Sequence, residues 1–182
     1  MIKLRQVTTD DSSVILEWRN DPRISAYMYT DHEISPAEHA MWLERLVSMD
    51  DRMGWIVLLD GHPVGAAFVT DIDRSNRNAV WAFYLADPAV RGRGVGSAVE
   101  AFVLRTAFDE LELHKLSCEV MGFNENVIAM HRKFGFQDEG VFRQEKLKNG
   151  QWQDVYRLAY FEQDWERDKE RIRALASGTG SE

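Results

Sequence analysis

The chain has 182 residues, 45% of them hydrophobic and 29% charged, which suits one globular domain and excludes wholesale disorder. Lys and Arg number 22 against 30 Asp and Glu, and the formal net charge of -8 argues against a broad electrostatic grip on nucleic acid while leaving room for a local basic pocket. One cysteine, Cys118, excludes an intrachain disulfide and a cysteine zinc cluster, no apolar run approaches the roughly 18 residues of a membrane span, and residues 1–11 lack the apolar core of a secretion signal, so a soluble cytoplasmic protein with no metal and no membrane partner is expected.

Residues 1–7 alternate apolar and polar side chains and read as a short strand. Asp10 or Asp11 can cap a helix carrying Val14, Ile15, Leu16 and Trp18, which Asn20-Asp21-Pro22 stops because the residue before proline avoids the helical region. Residues 24–33 read as irregular and are rich in Tyr27, Met28, Tyr29 and His32. Ser35-Pro36-Ala37-Glu38 has the form of a capping box with proline at the first helical position, opening a helix through Met41, Trp42, Leu43 and Leu46. Residues 55–59 and 64–71 read as strands about an Asp60-Gly61 turn, and residues 79–86 as a third apolar strand.

A long helix over about residues 96–111 follows, then a strand over 116–121 and a helix that Asn124 caps and Gly135 ends. Residues 141–148 and 151–161 flank Asn149-Gly150, a strong hairpin signal. Residues 162–176 are charged and helix-prone, and the small polar residues 177–182 are expected to be disordered. Without internal repeat or second-domain boundary, the pattern is mixed α/β, with antiparallel hairpins at both ends and a strand–helix–strand–helix unit between them.

The sharpest chemical signal is Arg91-Gly92-Arg93-Gly94-Val95-Gly96-Ser97, between an apolar strand and a long helix. Three glycines let the backbone turn so that consecutive N–H groups point outward, and the helix start adds partial positive charge, a combination that binds phosphate oxygens. A plain glycine turn is the bland alternative. No Lys-Ser or Lys-Thr follows, so it is not a P-loop, and its glycine spacing is not that of a dinucleotide fingerprint.

With Arg91, Gly94 and Gly96 in the register Arg-x-x-Gly-x-Gly, and with Asn124 opening a helix that ends in Phe134-Gly135-Phe136, the chain resembles the GNAT superfamily of acyl-CoA-dependent N-acetyltransferases over roughly residues 1–165. The resemblance implies a mixed, mostly antiparallel sheet of about seven strands flanked by helices, whose central strands splay to form the acetyl-CoA cleft. Residues 166–182 would follow as a charged C-terminal helix and disordered tail. Acetyl-CoA would be the co-substrate, with its pyrophosphate on Arg91, Gly92, Arg93, Gly94, Val95, Gly96 and Ser97, its pantetheine arm along Tyr84, Leu85 and Ala86, and Asn124 nearby.

Many relatives place a tyrosine four residues before Gly-Phe as general acid on the departing thiolate; here that position is His131. A protonated imidazole can fill the role, while a surface or core histidine is the alternative. Glu119, on the strand across the cleft, is the candidate acceptor or relay of the amine proton, and an outward, solvated carboxylate is the competing reading. Cys118 reads as a buried small hydrophobe.

A narrower resemblance rests on Trp18-Arg19-Asn20, on residues 27–35 (Tyr-Met-Tyr-Thr-Asp-His-Glu-Ile-Ser), on Phe68-Val69-Thr70-Asp71-Ile72-Asp73, on Leu113-His114-Lys115-Leu116-Ser117-Cys118-Glu119-Val120 and on Asp154-Val155-Tyr156-Arg157-Leu158 after Asn149-Gly150. Together these are similar to the sugar-nucleotide N-acetyltransferases of pseudaminic acid biosynthesis. That resemblance implies transfer to the 4-amino group of a UDP-linked 4-amino-4,6-dideoxy-N-acetyl-altrosamine. Met28, Tyr29, Trp81 and Phe83 would offer apolar surface to the deoxy-sugar, and Arg19 and His39 would meet phosphate or uracil oxygens. Trp81 and Phe83 read equally as core, and Arg19 equally as a cation at its helix's C-terminal end. The rivals are a protein N-terminal acetyltransferase of the ribosomal-protein type and a non-catalytic acyl-CoA-binding module.

Overall fold

The computed structural model describes residues 1–177, so the expected disordered tail lies, from residue 178 on, outside the described residues. Seven strands form one sheet in the order β1-β2-β3-β4-β5-β7-β6, with β1 Ile2–Gln6, β2 Met53–Leu59, β3 His62–Asp73, β4 Asn78–Leu85, β5 Lys115–Met121, β6 Gln137–Lys148 and β7 Gln151–Phe161. Every neighbouring pair is antiparallel except β4 and β5, which are parallel. The mixed, mostly antiparallel sheet expected from the sequence is the observed one. Asp60 and Gly61, and likewise Asn149 and Gly150, take positive φ values, as two-residue turns matched to the twist of their strands require.

The helices are α1 Ser12–Asn20, a single turn α2 Pro22–Ser25, α3 Pro36–Ser48, α4 Val95–Arg105, α5 Glu125–Phe134 and α6 Glu162–Ser177. Strand alternation divides the core. Trp55, Val57, Val69 and Trp81 face the cluster built with Val99, Val103, Phe134 and Ile172, on the side of α4, α5 and α6. Ile56, Ala66 and Phe68 face the other way, toward Ile15, Leu43 and Leu46 of α1 and α3.

Four local expectations are corrected. Residues 24 and 25, at the start of the stretch expected to be irregular, belong to the turn α2, because Asp21 caps it by accepting from the Arg23 amide at 2.8 Å. The capping box at Ser35 is half-formed: Ser35 Oγ accepts from the Glu38 amide at 3.2 Å, but the Glu38 carboxylate turns to His32 at 3.0 Å. The helix expected to run to residue 111 ends as a regular helix at Arg105 and continues as a π-helical turn, Thr106–Glu110. The boundary expected after residue 165 falls inside α6, whose Trp165 and Ile172 are fully buried in the same core.

One feature of the sheet creates the site. β5 pairs with β7 along its whole length, but with β4 only at Asn78↔Lys115, Ala79↔Leu116 and Val80↔Ser117. Beyond Val80 the two parallel strands part. From Trp81 to Leu85, β4 therefore keeps its bonds to β3 on one edge and offers bare backbone on the other.

Candidate active site

The bare edge of β4 leads into the glycine loop. Asp87 ends the strand by accepting from the Ala89 amide at 2.8 Å, and the turn Pro88–Val90 delivers the chain to residues 91–97. Gly94 is the N-cap of α4 at φ 73°, a left-handed conformation that a side chain would strain. A Cβ on Gly96 would stand 3.3 Å from Met130 Sδ, so this glycine also lets α5 lie close to α4. As the first three helical residues, Val95, Gly96 and Ser97 have amides with no intrahelical acceptor, and these converge with the positive end of the helix. Loop and bare edge lie end to end and fit a pyrophosphate followed by an extended chain bearing amides, as in acetyl-CoA. Asn124 is the N-cap of α5, without a side-chain cap bond.

Behind the parting strands, α4 and α5 meet through a polar pair. His131 is 2% exposed, and its Nδ1 lies 2.8 Å from Oε1 of Glu100, which is itself completely buried. Trp81, Phe83 and Phe136 surround the imidazole, with ring centroids 5.1, 6.4 and 5.3 Å away. Burial pushes the Glu100 carboxyl above the ordinary carboxylate range, and the bond to His131 opposes the shift. His131 is therefore neither a surface histidine nor a lone core histidine. Trp81, expected to offer surface to a ligand, is corrected to core: it is 1% exposed and stacks on Phe83, because both point inward from β4 toward α4 and α5.

The opposite face is polar in a different way. Arg19, half-buried at the end of α1, lies with its guanidinium 4.4 Å from the ring centre of Trp42, and the nearest polar side-chain atom is His39 Nδ1 at 3.5 Å. Among the described residues no carboxylate stands within ion-pair distance of it. Burial lowers the Arg19 pKa, and the nearby Tyr84 and Glu38 oppose that shift. His39 is buried, and burial, then the neighbouring Arg19, lowers its pKa and favours the neutral ring, the Ser12 backbone opposing; no hydrogen bond of ordinary geometry reaches its enclosed Nε2. The Tyr84 hydroxyl is likewise enclosed and unpartnered, and burial raises its pKa. The structure thus gathers Arg19, His39 and Tyr84 on the α1 and α3 side, and separates them from Trp81 and Phe83 across the sheet.

Residues 26–35 bridge the mouth of the parting strands. Asn20 clips one end through paired bonds with Ile34, 2.9 and 2.8 Å long. The β6–β7 hairpin holds the middle: Lys148 donates to the Thr30 carbonyl at 2.6 Å and the Asn149 amide to Asp31 at 3.2 Å. Tyr29 donates to Glu119 Oε2 at 2.8 Å, while Lys146 lies 4.5 Å from the Tyr29 ring centre. Arg157 donates to Glu119 Oε1 at 2.9 Å and to Ser117 Oγ at 3.1 Å. Glu119 is thus partly exposed and engaged at both oxygens, and burial together with its carboxylate pushes the Tyr29 phenol up. Met28 is half-buried in the same segment. A separate polar cavity of about 340 Å³ opens under the outer side of this segment, between Asn20, Thr30, Asp31 and Lys148. Cys118 is buried, and burial pushes its thiol well up, so it is no nucleophile.

Sequence reasoning missed Glu100, Asn20, Lys148 and the pairing of Arg157 with Glu119. Asn20 and Arg157 lie within the stretches that carry the narrower resemblance, while a single Glu in the apolar run of α4 was the signal for Glu100.

A parallel pair that parts beside a glycine-rich helix start defines an acyl-CoA-dependent transferase. Residues 2–137 match the acetyltransferase (GNAT) domain family, and the chain belongs to that family. It is an acetyl-CoA-dependent N-acetyltransferase. Among curated relatives it is 28% identical to the L-amino acid N-acetyltransferase AaaT of Escherichia coli K12, over 87% of this chain and 96% of that protein. It is 25% identical to the acetyltransferase PseH of Campylobacter jejuni, over 75% of this chain and 85% of that one. The spermidine N-acetyltransferase of Vibrio cholerae, solved with CoA and spermine, shares the fold with a TM-score of 0.84 at 22% identity, covering 91% of this chain and 98% of that one. Two of these proteins carry different acceptors in their names, an L-amino acid and spermidine. No described helix is long and apolar enough to cross a membrane.

Proposed function

We propose that the chain transfers the acetyl group of acetyl-CoA to the 4-amino group of a UDP-linked 4-amino-4,6-dideoxy-N-acetyl-hexosamine. The observation that carries this reading is Arg19, a half-buried cation with no carboxylate partner, beside the enclosed Tyr84 hydroxyl and His39 Nε2. A partly desolvated guanidinium without a counter-ion is costly, and a ligand phosphate supplies both the charge and matching acceptors. A polyamine would bring a second cation to the same place. The likeness to the C. jejuni acetyltransferase PseH and the make-up of residues 27–35 support a nucleotide-linked sugar, with Met28 and Tyr29 against its methyl edge.

In this reading the amides of residues 91–97 hold the pyrophosphate of acetyl-CoA and the bare edge at Tyr84, Leu85 and Ala86 holds its pantetheine arm. His131 supplies the proton that the departing sulfur needs. Glu119 keeps Tyr29, and with it residues 26–35, in place; it can take the amine proton only by releasing one of its two donors. An amino acid carboxylate would also answer Arg19, and the likeness to AaaT makes that the second reading. The test is mass-spectrometric detection of acetyl transfer in a mixture of UDP-4-amino-sugar, L-amino acids, spermidine and N-terminal peptides. Acetylated sugar nucleotide as the main product supports the first reading, and acetylated amino acid, polyamine or peptide as the main product overturns it.

A further inference from the structure

We propose that Glu100 is a positioning residue for catalysis: bonded to Nδ1 of His131, it holds the imidazole with a proton on Nε2, the nitrogen turned toward the parting strands. The proposal rests on the reading that His131 protonates the departing sulfur, and it names the residue that makes His131 fit to do so.

The geometry comes first. Nδ1 points to α4, so Nε2, across the ring, points away from it, among Trp81, Phe83 and Phe136. Trp81 and Phe83 stand on the stretch of β4 that β5 has left. Nε2 has no hydrogen-bond partner among the described residues, and it is not among the enclosed unpartnered atoms.

Proton counting comes second. With Glu100 ionised and the imidazole neutral, the pair carries one negative charge inside the core and Nε2 is bare. With one more proton the pair is neutral; Glu100 Oε2 is enclosed with no acceptor for a hydroxyl, so that proton belongs in the bridge or on the ring, and Nε2 carries a hydrogen whether the bridging proton sits nearer Nδ1 or Oε1. The surroundings favour the neutral pair, because a buried net charge without a counter-ion is costly. From β4 the pair meets Trp81 and Phe83, from β6's entry Phe136, and from β5 Cys118, whose thiol is held neutral by burial. Arg157 and Glu119 satisfy each other across β5 and β7, and Arg132 and Lys133 of α5 are exposed, Arg132 being paired with Asp138. Among the described residues no cation outside the pair stands within ion-pair distance of Glu100.

The chemical step then balances. As the amine nitrogen bonds the acetyl carbon and the carbon–sulfur bond breaks, the sulfur electron pair takes the Nε2 proton. The bridging proton ends on Nδ1, which leaves a neutral imidazole beside an ionised Glu100, and the pair regains the missing proton from the one that the amine releases.

Two measurements test the proposal on the full chain. In 15N-histidine-labelled protein without ligand, Nε2 of His131 should carry a proton at pH 7–8, and a downfield bridging-proton resonance should be lost in Glu100→Gln. A bare Nε2 in the wild type would overturn it. With acetyl-CoA and the UDP-4-amino-sugar, Glu100→Gln should lower kcat by about tenfold or more, part of the 10²–10⁴ that general-acid help contributes, leave the KM for acetyl-CoA unchanged, and move the decline of kcat at high pH to lower pH. A Glu100→Gln enzyme with wild-type kcat and pH profile would overturn the proposal while His131→Gln remains impaired. An unimpaired His131→Gln enzyme would instead overturn the reading beneath it. If the sugar is not acetylated, the substrate reading fails and the histidine spectrum alone decides on Glu100.

Discussion

On the α4 and α5 side of the sheet, Glu100 and His131 are buried beside aromatic rings, each bonded to the other. On the α1 and α3 side, Arg19, Tyr84 and His39 stand together with polar atoms that the chain does not satisfy. Both arrangements flank the same bare stretch of β4, yet on the first side the two ionisable groups pair with each other, although Glu100 Oε2 is enclosed without a partner, and on the second the cation has no carboxylate partner. A polar group that finds its partner inside the protein is built to act on a ligand through position and proton state. One left without a partner is built to be completed by the ligand. The first face fits the acetyl transfer of the GNAT family, and the second fits the choice of acceptor.

The largest expected effect lies on the face of the Glu100–His131 pair. His131→Gln, which leaves Glu100 a hydrogen-bonding partner, should lower kcat by about 10²–10⁴. Acetyl-CoA affinity, measured by calorimetry, should stay within about threefold if the proton, and not the packing, is what is lost. On the Arg19 face, Arg19→Ala should raise the acceptor KM by about 10–100-fold, the range of a hydrogen-bonded charge of roughly 1.5–3 kcal/mol, with the KM for acetyl-CoA unchanged. An equal rise in both constants would erase the distinction between the faces.

Gly94→Val sharpens the comparison from the cofactor end. Forcing a side chain into the left-handed conformation costs about 1–2 kcal/mol, so the free loop should relax out of it and acetyl-CoA, which must restore it, should bind roughly tenfold more weakly while the acceptor KM changes little. The smallest effect concerns the anchoring of α1. Arg5 holds the Asp11 carboxylate through bonds of 2.6 and 2.8 Å and depresses its pKa, burial opposing the shift, with further help from the Thr8 amide. A depressed carboxylate stabilises the fold above its unfolded pKa of about 3.9 and loses that contribution as pH falls through the lower folded value. Asp11→Asn should therefore cost about 1 kcal/mol at pH 7 by urea denaturation, allowing for the half-exposed Arg5, and progressively less below about pH 4.

Legibility in the sequence followed the same division. Turn chemistry at Asp60-Gly61 and Asn149-Gly150, alternation in the strands and the glycine spacing at residues 91–97 are local signals, and they located the sheet and the glycine loop at the start of α4. The placement of Trp81 was open because alternation tells that a residue faces one side, not which side a ligand enters. Glu100 and His131 are 31 positions apart and Tyr29 and Glu119 are 90 apart, so their partnerships exist only once α4 lies on α5 and residues 26–35 fold over β5. The half-formed capping box shows the same limit, since Glu38 found a better partner in His32 than in its own helix start.

The account stands most directly on what Arg19 binds. The decisive measurement is kcat/KM for acetyl transfer to the UDP-4-amino-sugar and to the same sugar without UDP, in the wild type and in Arg19→Ala. Removing UDP should cost the wild type more than about tenfold, the worth of one charge-assisted hydrogen bond, and the Arg19→Ala enzyme should lose most of that preference. Equal rates on the two sugars, or a nucleotide preference that survives in Arg19→Ala, would contradict an anion-completed acceptor site.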